Sequence, residues 1–242
     1  MVEALDDLCN PNDGYGWASA GIYCFWDYNT HEVLYIGLAS DLGVRFRQHN
    51  GILPLEQGSK QKKIEEYFES HEKLGYSIFV QSSLSQPLVH RNRERYEEFA
   101  RQNSALAKDM VSEQGIRDIK RVEGILIEAY RRNTGHFPPW NEVGGSLAGQ
   151  KRVLPNNINI VRSFSHPETY AINPIVSRST LRELSSNPTW EGFENYLHAV
   201  RMYMLIFGMD YEIAMRFTAE NDPINTLKRI YDEHYFEKQL IV

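Results

Sequence analysis

The chain has 242 residues, 42% of them hydrophobic and 12% aromatic, which is enough to bury a sizeable core. A formal net charge of −6 argues against a protein that coats nucleic acid indiscriminately, although a few arginines in one groove still set a local positive field. No apolar run approaches the roughly 20 residues of a membrane span, and the acidic start lacks a signal pattern, so no membrane partner and a cytoplasmic location are expected.

Residues 1–18 read as an acidic lead-in, with Glu3, Asp6, Asp7 and Asp13 and no Lys or Arg. Two cysteines make neither a disulfide framework nor a zinc site, and Cys24, between apolar strand residues, reads as a buried thiol. Residues 21–27 and 33–37 are rich in Ile, Tyr, Phe and Trp and flank a turn at 28–32, the pattern of a hairpin. Symmetric closure pairs 27 with 33, 25 with 35 and 23 with 37. Tyr23 and Tyr35 then lie on one face as diagonal neighbours, and a one-residue slip would separate them. Ser40 is the expected N-cap of a helix through Asn50, with Gly51 as its stop. Arg45 and His49, four apart, share one face of it beside an apolar stripe of Leu42 and Phe46.

A helix is predicted over about 60–73 from Ile64, Tyr67 and Phe68, ended by Gly75 and followed by a strand over 76–81. Residues 91–110 read as a helix of mixed charge. Residues 114–132 form another, with Ile119, Val122, Ile125, Leu126 and Ala129 at helical spacing and stop signals from Asn133 to Pro139. Residues 141–175, rich in Gly, Asn and Pro, read as a loop-rich linker or arm. Residues 177–241 are helical again, with a small core expected from Val200, Tyr203, Met204, Phe207, Tyr211, Ile213, Met215 and Phe217. Two short helices between 211 and 230, broken near Pro223, suit either DNA reading or helix packing. Only Arg216, Lys228 and Arg229 are basic there, which favours packing.

Hydrolysis of a phosphodiester needs an activated nucleophile, charge on the pentavalent centre and help for the leaving oxygen. Tyr23 or Tyr35 could take a proton from water if nearby cations lower its pKa from about 10. Arg45 offers a bidentate fork for phosphate oxygens. His49 could accept a tyrosine proton or bond to phosphate. Glu123 could hold a hydrated Mg²⁺, which needs only one or two carboxylates. Asn141 could fix a loop through side-chain to backbone bonds. Lys60, Lys62 and Lys63 at a helix start, and Arg91 and Arg93 further on, could grip backbone phosphates without reading sequence. Each residue alone also has a plain structural reading, as a packed tyrosine, a solvated arginine or an exposed glutamate. Their order and spacing carry the chemical one.

That order is Gly21-Ile22-Tyr23, Tyr35-Ile36-Gly37, Leu42, Arg45, His49, then Glu123 before Leu126-Ile127, and Pro139-Trp140-Asn141. It resembles the GIY-YIG nuclease superfamily over roughly residues 19–145, with both namesake tripeptides present. The resemblance implies an α+β fold, a small three-stranded antiparallel sheet flanked by helices. An insertion at about 82–113 would account for the 74 residues from His49 to Glu123, more than in compact members. That insertion is either a DNA-contacting or dimer-forming element or a solvated charged helix. A linker over 146–176 and a helical region over 177–242 would follow.

By the same resemblance the protein is a Mg²⁺-dependent (or Mn²⁺-dependent) endonuclease of DNA, of restriction or phage type, acting on double strands and so suited to a two-fold dimer. Tyr23 would be the general base, with Tyr35 lining the pocket, or the two would divide these roles differently. His49 would assist the tyrosine, Arg45 would stabilise the pentavalent state, and Glu123 would hold the metal, with Glu128 as the fallback ligand. The competing class is a non-catalytic module that keeps the fold for binding DNA or protein. An RNA substrate is compatible with the same residues.

Overall fold

The computed structural model of the chain describes residues 1–9, 20–54, 58–81, 92–102 and 113–242. Three antiparallel strands, β1 (Gly21–Asp27), β2 (Val33–Ala39) and β3 (Leu74–Val80), form one sheet in the order β2-β1-β3. Helices flank it, so the α+β expectation with a three-stranded antiparallel sheet holds. The hairpin register places Tyr23 opposite Gly37 and Phe25 opposite Tyr35, as expected. The expected 27–33 pair is replaced by Trp26 opposite Val33, with a bulge between Phe25 and Trp26. The turn causes this: Asp27 Oδ1 accepts the N–H groups of Asn29 and Thr30, and its own backbone is tied to His31 and Glu32.

Two glycines of the hairpin are there because a side chain would not fit. A Cβ on Gly37 would lie 2.7 Å from the Tyr23 hydroxyl and 2.6 Å from the Tyr35 ring. A Cβ on Gly21 would lie 2.6 Å from the Phe79 carbonyl. Gly75 has the same role, not that of a helix stop. It sits inside β3 opposite Trp26, where a Cβ would run into the indole at 2.1 Å.

Helix α1 (Val2–Leu8) buries Ala4, Leu5 and Leu8, and its Asp6 pairs with Arg47, so the described part of the acidic lead-in is a packed helix. The helix after the hairpin, α2 (Leu42–His49), is capped by Asp41 Oδ1 accepting from Val44 N–H at 2.9 Å, one residue later than expected. Gly51 follows it at φ 68°. Helix α3 (Gln61–Phe68) is shorter than expected, because the chain turns into β3 at Leu74. Within the stretch expected to be inserted, α4 (Arg93–Gln102) is helical, while residues 82–91, Arg91 among them, and 103–112 lie outside the described residues.

The long helix α5 (Glu113–Thr134) lies under the sheet with Ile119, Val122, Ile125, Leu126 and Ala129 buried. The stretch expected to be loop-rich contains α6 (Leu147–Gln150), α7 (Asn157–Ser165) and a 3₁₀ turn (Pro167–Ala171). Ile160, Val161 and Phe164 bury its apolar face. The tail forms α8 (Leu181–Ser186), α9 (Pro188–Phe207), α10 (Tyr211–Glu220) and α11 (Thr226–Asp232). One hydrophobic cluster runs from Ile22, Cys24 and Trp26 through α5 and α7 to Phe193, Val200 and Tyr235, so the tail packs on the same core as the sheet. Val200, Met204 and Met215 are buried as expected, whereas Phe207, Ile213 and Phe217 are exposed. Among the described residues no helix is long and apolar enough to cross a membrane.

Candidate active site

Strand alternation places Tyr23 and Phe25 on the opposite sheet face from Ile22, Cys24 and Trp26, in a second, smaller cluster with Leu42, Ile64 and Val80. Tyr35, one strand over, brings its ring to 5.7 Å from that of Tyr23, and His49 brings its imidazole to 5.3 Å. The Tyr23 hydroxyl lies 2.7 Å from His49 Nε2. The hairpin and the single helix behind it therefore assemble three of the expected residues.

The tautomer of His49 follows from its other nitrogen. The backbone N–H of Lys60 donates to His49 Nδ1 at 2.8 Å, so Nδ1 carries a lone pair and Nε2 the proton. His49 thus donates to the Tyr23 oxygen and is not placed to take its proton. Burial, with Arg45 and Lys60 nearby, pushes the imidazole pKa down to about 3, which keeps the ring neutral. Burial raises both phenols above their usual range. The contact between them adds to the rise at Tyr23 and offsets it at Tyr35, the pattern of Tyr23 donating toward Tyr35. Tyr23 is 2% exposed and Tyr35 is only partly buried, so the chain of donors runs outward from Lys60 through His49 and Tyr23 to Tyr35. The positive charge of Arg45 favours the phenolate at both tyrosines.

Glu123 comes from α5 to the edge of β2. Its carboxylate accepts the Leu38 N–H and acts on Tyr35 through its charge. Burial raises its pKa to about 7, only partly offset by that N–H and by Lys120. A carboxylate held this way, with no guanidinium in salt-bridge contact among the described residues, suits a hard divalent cation that keeps most of its water. Glu128, the fallback, does not suit one. Arg131 and Arg132 donate to it at 2.7 and 2.9 Å and hold its carboxyl down to about 2.

Asn141 closes the free edge of β2. Its Oδ1 accepts the Ile36 N–H at 2.9 Å and its Nδ2 donates to the Ile36 carbonyl at 2.8 Å, while Trp140 N–H donates to the Leu34 carbonyl at 2.8 Å. Asn141 therefore supports the strand that carries Tyr35, two residues along it from the Leu38 N–H that Glu123 accepts. Asn141→Ala is expected to lower stability by about 2 kcal/mol, because two half-buried backbone groups lose their partners. A urea titration measures this, and an unchanged midpoint would refute the role.

Lys60 belongs to the cluster by its side chain as well. Its ammonium lies 5.2 Å from the centroid of the Tyr35 ring and 3.4 Å from Glu142 Oε1. Lys63 is exposed on α3 beside Glu66, and Arg93 is exposed on α4, where its partner is Glu97. Glu142 escaped the sequence reading, and its place directly after Asn141 is the only signal that could have marked it. The Lys60 N–H left no signal, because every residue but proline carries one. No family model matches the chain, and no curated protein or solved structure matches it at a significant level.

Proposed function

We propose that the protein is a GIY-YIG-type endonuclease that hydrolyses DNA phosphodiesters with Mg²⁺ or Mn²⁺. The observation that carries this reading is the convergence of Tyr23, Tyr35 and His49 on one sheet face beside Arg45 and the pKa-raised carboxylate of Glu123. In this reading Glu123 holds the metal, which when bound supplies a Lewis acid for a phosphodiester oxygen. Arg45 binds phosphate oxygens and is the fixed charge that meets the developing negative centre. Tyr35 takes the proton from the attacking water. To act as base it starts as the phenolate, stabilised by Arg45 and by the Tyr23 hydroxyl, which His49 Nε2–H holds in place, and it ends as a neutral phenol. This divides the tyrosines differently from the family expectation, in which Tyr23 is the base, and it rests on Tyr35 being the more exposed of the two.

Incubation with supercoiled plasmid and Mg²⁺ tests both levels. Wild-type protein should nick or linearise DNA, and Arg45→Ala should lower the rate by about 10³-fold. Tyr35→Phe should lose the rise of rate with pH, while Tyr23→Phe should keep that rise at a lower rate. Binding of plain, modified and branched DNAs without cleavage under any condition would instead favour the non-catalytic module.

A further inference from the structure

Far from this cluster, the turn of the β1–β2 hairpin meets the end of α7. There His31, His166 and Glu168 each offer one ligand atom, and these atoms lie within 4.8 Å of one another. We propose that they form a second metal site, for a zinc-type first-row dication, distinct from Glu123. Glu123 meets β2 at Leu38, and five residues of strand from Val33 to Leu38 span roughly 17 Å, so one ion cannot serve both sites.

The donor set decides the class of ion. Two imidazoles and one carboxylate suit Zn²⁺, Ni²⁺ or Cu²⁺, whereas Mg²⁺ and Ca²⁺ take oxygen ligands. Zn–N and Zn–O bonds of about 2.0–2.2 Å in a tetrahedron put neighbouring donors roughly 3.4 Å apart. His31 Nδ1 and Glu168 Oε1 are already 3.5 Å apart. The two imidazole rings stand 5.2 Å apart at 76°, so side-chain rotation suffices to bring the third donor in.

The surroundings orient both histidines. His166 Nδ1 lies 3.0 Å from the Ser165 hydroxyl, which can accept or donate, and 3.2 Å from the Arg162 carbonyl, which can only accept, so a proton on Nδ1 satisfies both and leaves Nε2 its lone pair. A ligating histidine ordinarily has its other nitrogen anchored this way. His31 holds φ at 62°, a region that non-glycine residues seldom adopt, and its N–H donates to the Asp27 carbonyl at 2.8 Å. The indole of Trp26 stands edge-on to it at 6.0 Å. Glu168, with 51% of its side chain exposed, is free to swing onto an ion and leaves the fourth position to water. Such an ion would tie the hairpin turn to the segment after α7 and brace the strands that carry the tyrosines.

Titration calorimetry of chelator-stripped protein with Zn²⁺, paired with thermal unfolding, tests the site. One Zn²⁺ per chain is expected, insensitive to excess Mg²⁺ and retained in Glu123→Gln. Glu168→Gln and His166→Gln, at half-exposed positions, should fold normally, bind Zn²⁺ at least about tenfold more weakly and lose the Zn²⁺-induced rise in melting temperature. His31→Asn, which tolerates the same backbone conformation, should do likewise. Zn²⁺ binding that is absent from the wild type, unchanged in all three variants or abolished by Glu123→Gln would overturn the proposal.

Discussion

Glu123→Gln is expected to lower metal-dependent cleavage by at least about 10³-fold and, at the same time, to make the metal-free protein more stable in alkaline buffer. Both effects come from one fact, that burial holds this carboxyl at a pKa of about 7. An acid with a folded pKa above its unfolded value near 4.3 binds its proton more tightly in the folded state. Folding is therefore weakened as the pH rises from about 4 to about 7, and the deficit persists above that. The deficit is on the order of 2 kcal/mol, since about 1.4 kcal/mol accompanies each unit and water still reaches the half-buried group. Glutamine keeps the acceptor for the Leu38 N–H and never ionises, so it removes the deficit. Thermal melts at pH 5 and pH 8.5 in chelator should show the wild type falling relative to Glu123→Gln. Added Mg²⁺ should raise the wild type alone. Equal melts at both pH values would sink the claim that Glu123 is a strained, metal-seeking carboxylate. A variant that cleaves normally would sink the metal role itself.

Arg201→Met is expected to destabilise the protein by about 3–5 kcal/mol, because it strands a charge in the core. Glu194, 2% exposed, accepts from Arg201 Nη1 at 3.0 Å, the Tyr235 hydroxyl at 2.7 Å and the Arg178 N–H at 3.1 Å. Arg201 Nε in turn donates to the Ile175 carbonyl at 2.8 Å. These bonds tie the middle of α9 to the segment before α8 and to the chain end near Tyr235. Burial alone would raise the Glu194 pKa, yet these partners outweigh it and hold the carboxyl down to about 2. Its folded pKa is depressed, so its contribution is present above about pH 4.3 and is lost as the pH falls toward 2. Glu194→Gln keeps an acceptor for Tyr235 and Arg178 but leaves the buried Arg201 guanidinium without its counter-charge, so it should cost a similar amount, about 3–5 kcal/mol. The double variant should cost less than the sum of the two. Urea unfolding of the three variants measures this, and strict additivity would mean that the groups act independently.

The exposed apolar side chains of the tail show where sequence patterns mislead. Phe207, Ile213 and Phe217 carry the apolar spacing of core residues, yet they lie outside. Tyr203 meets the rings of Phe207 and Phe217 at 5.8 and 4.9 Å, so an apolar ridge forms on the surface. Periodicity reports that a helix has an apolar face, and it cannot report what covers that face.

What the sequence determined by itself is local. Runs rich in Ile, Tyr, Phe and Trp about a turn made β1 and β2, a 3.6-residue period made α5, the hairpin register put Tyr23 and Tyr35 on one sheet face, and a spacing of four put Arg45 and His49 on one face of a helix. Such features depend on residues a few positions apart, and the patterns carry them directly. Tertiary structure alone decided the rest, because each remaining feature is set by a partner distant in the chain or by the loss of water. Asn141 reaches back to Ile36 across 105 residues. A backbone N–H from Lys60 sets the His49 tautomer, and the indole of Trp26 accounts for Gly75. Glu123 reads in sequence as an ordinary helix carboxylate. Only its burial lifts its pKa to about 7, with the Leu38 N–H pulling the other way.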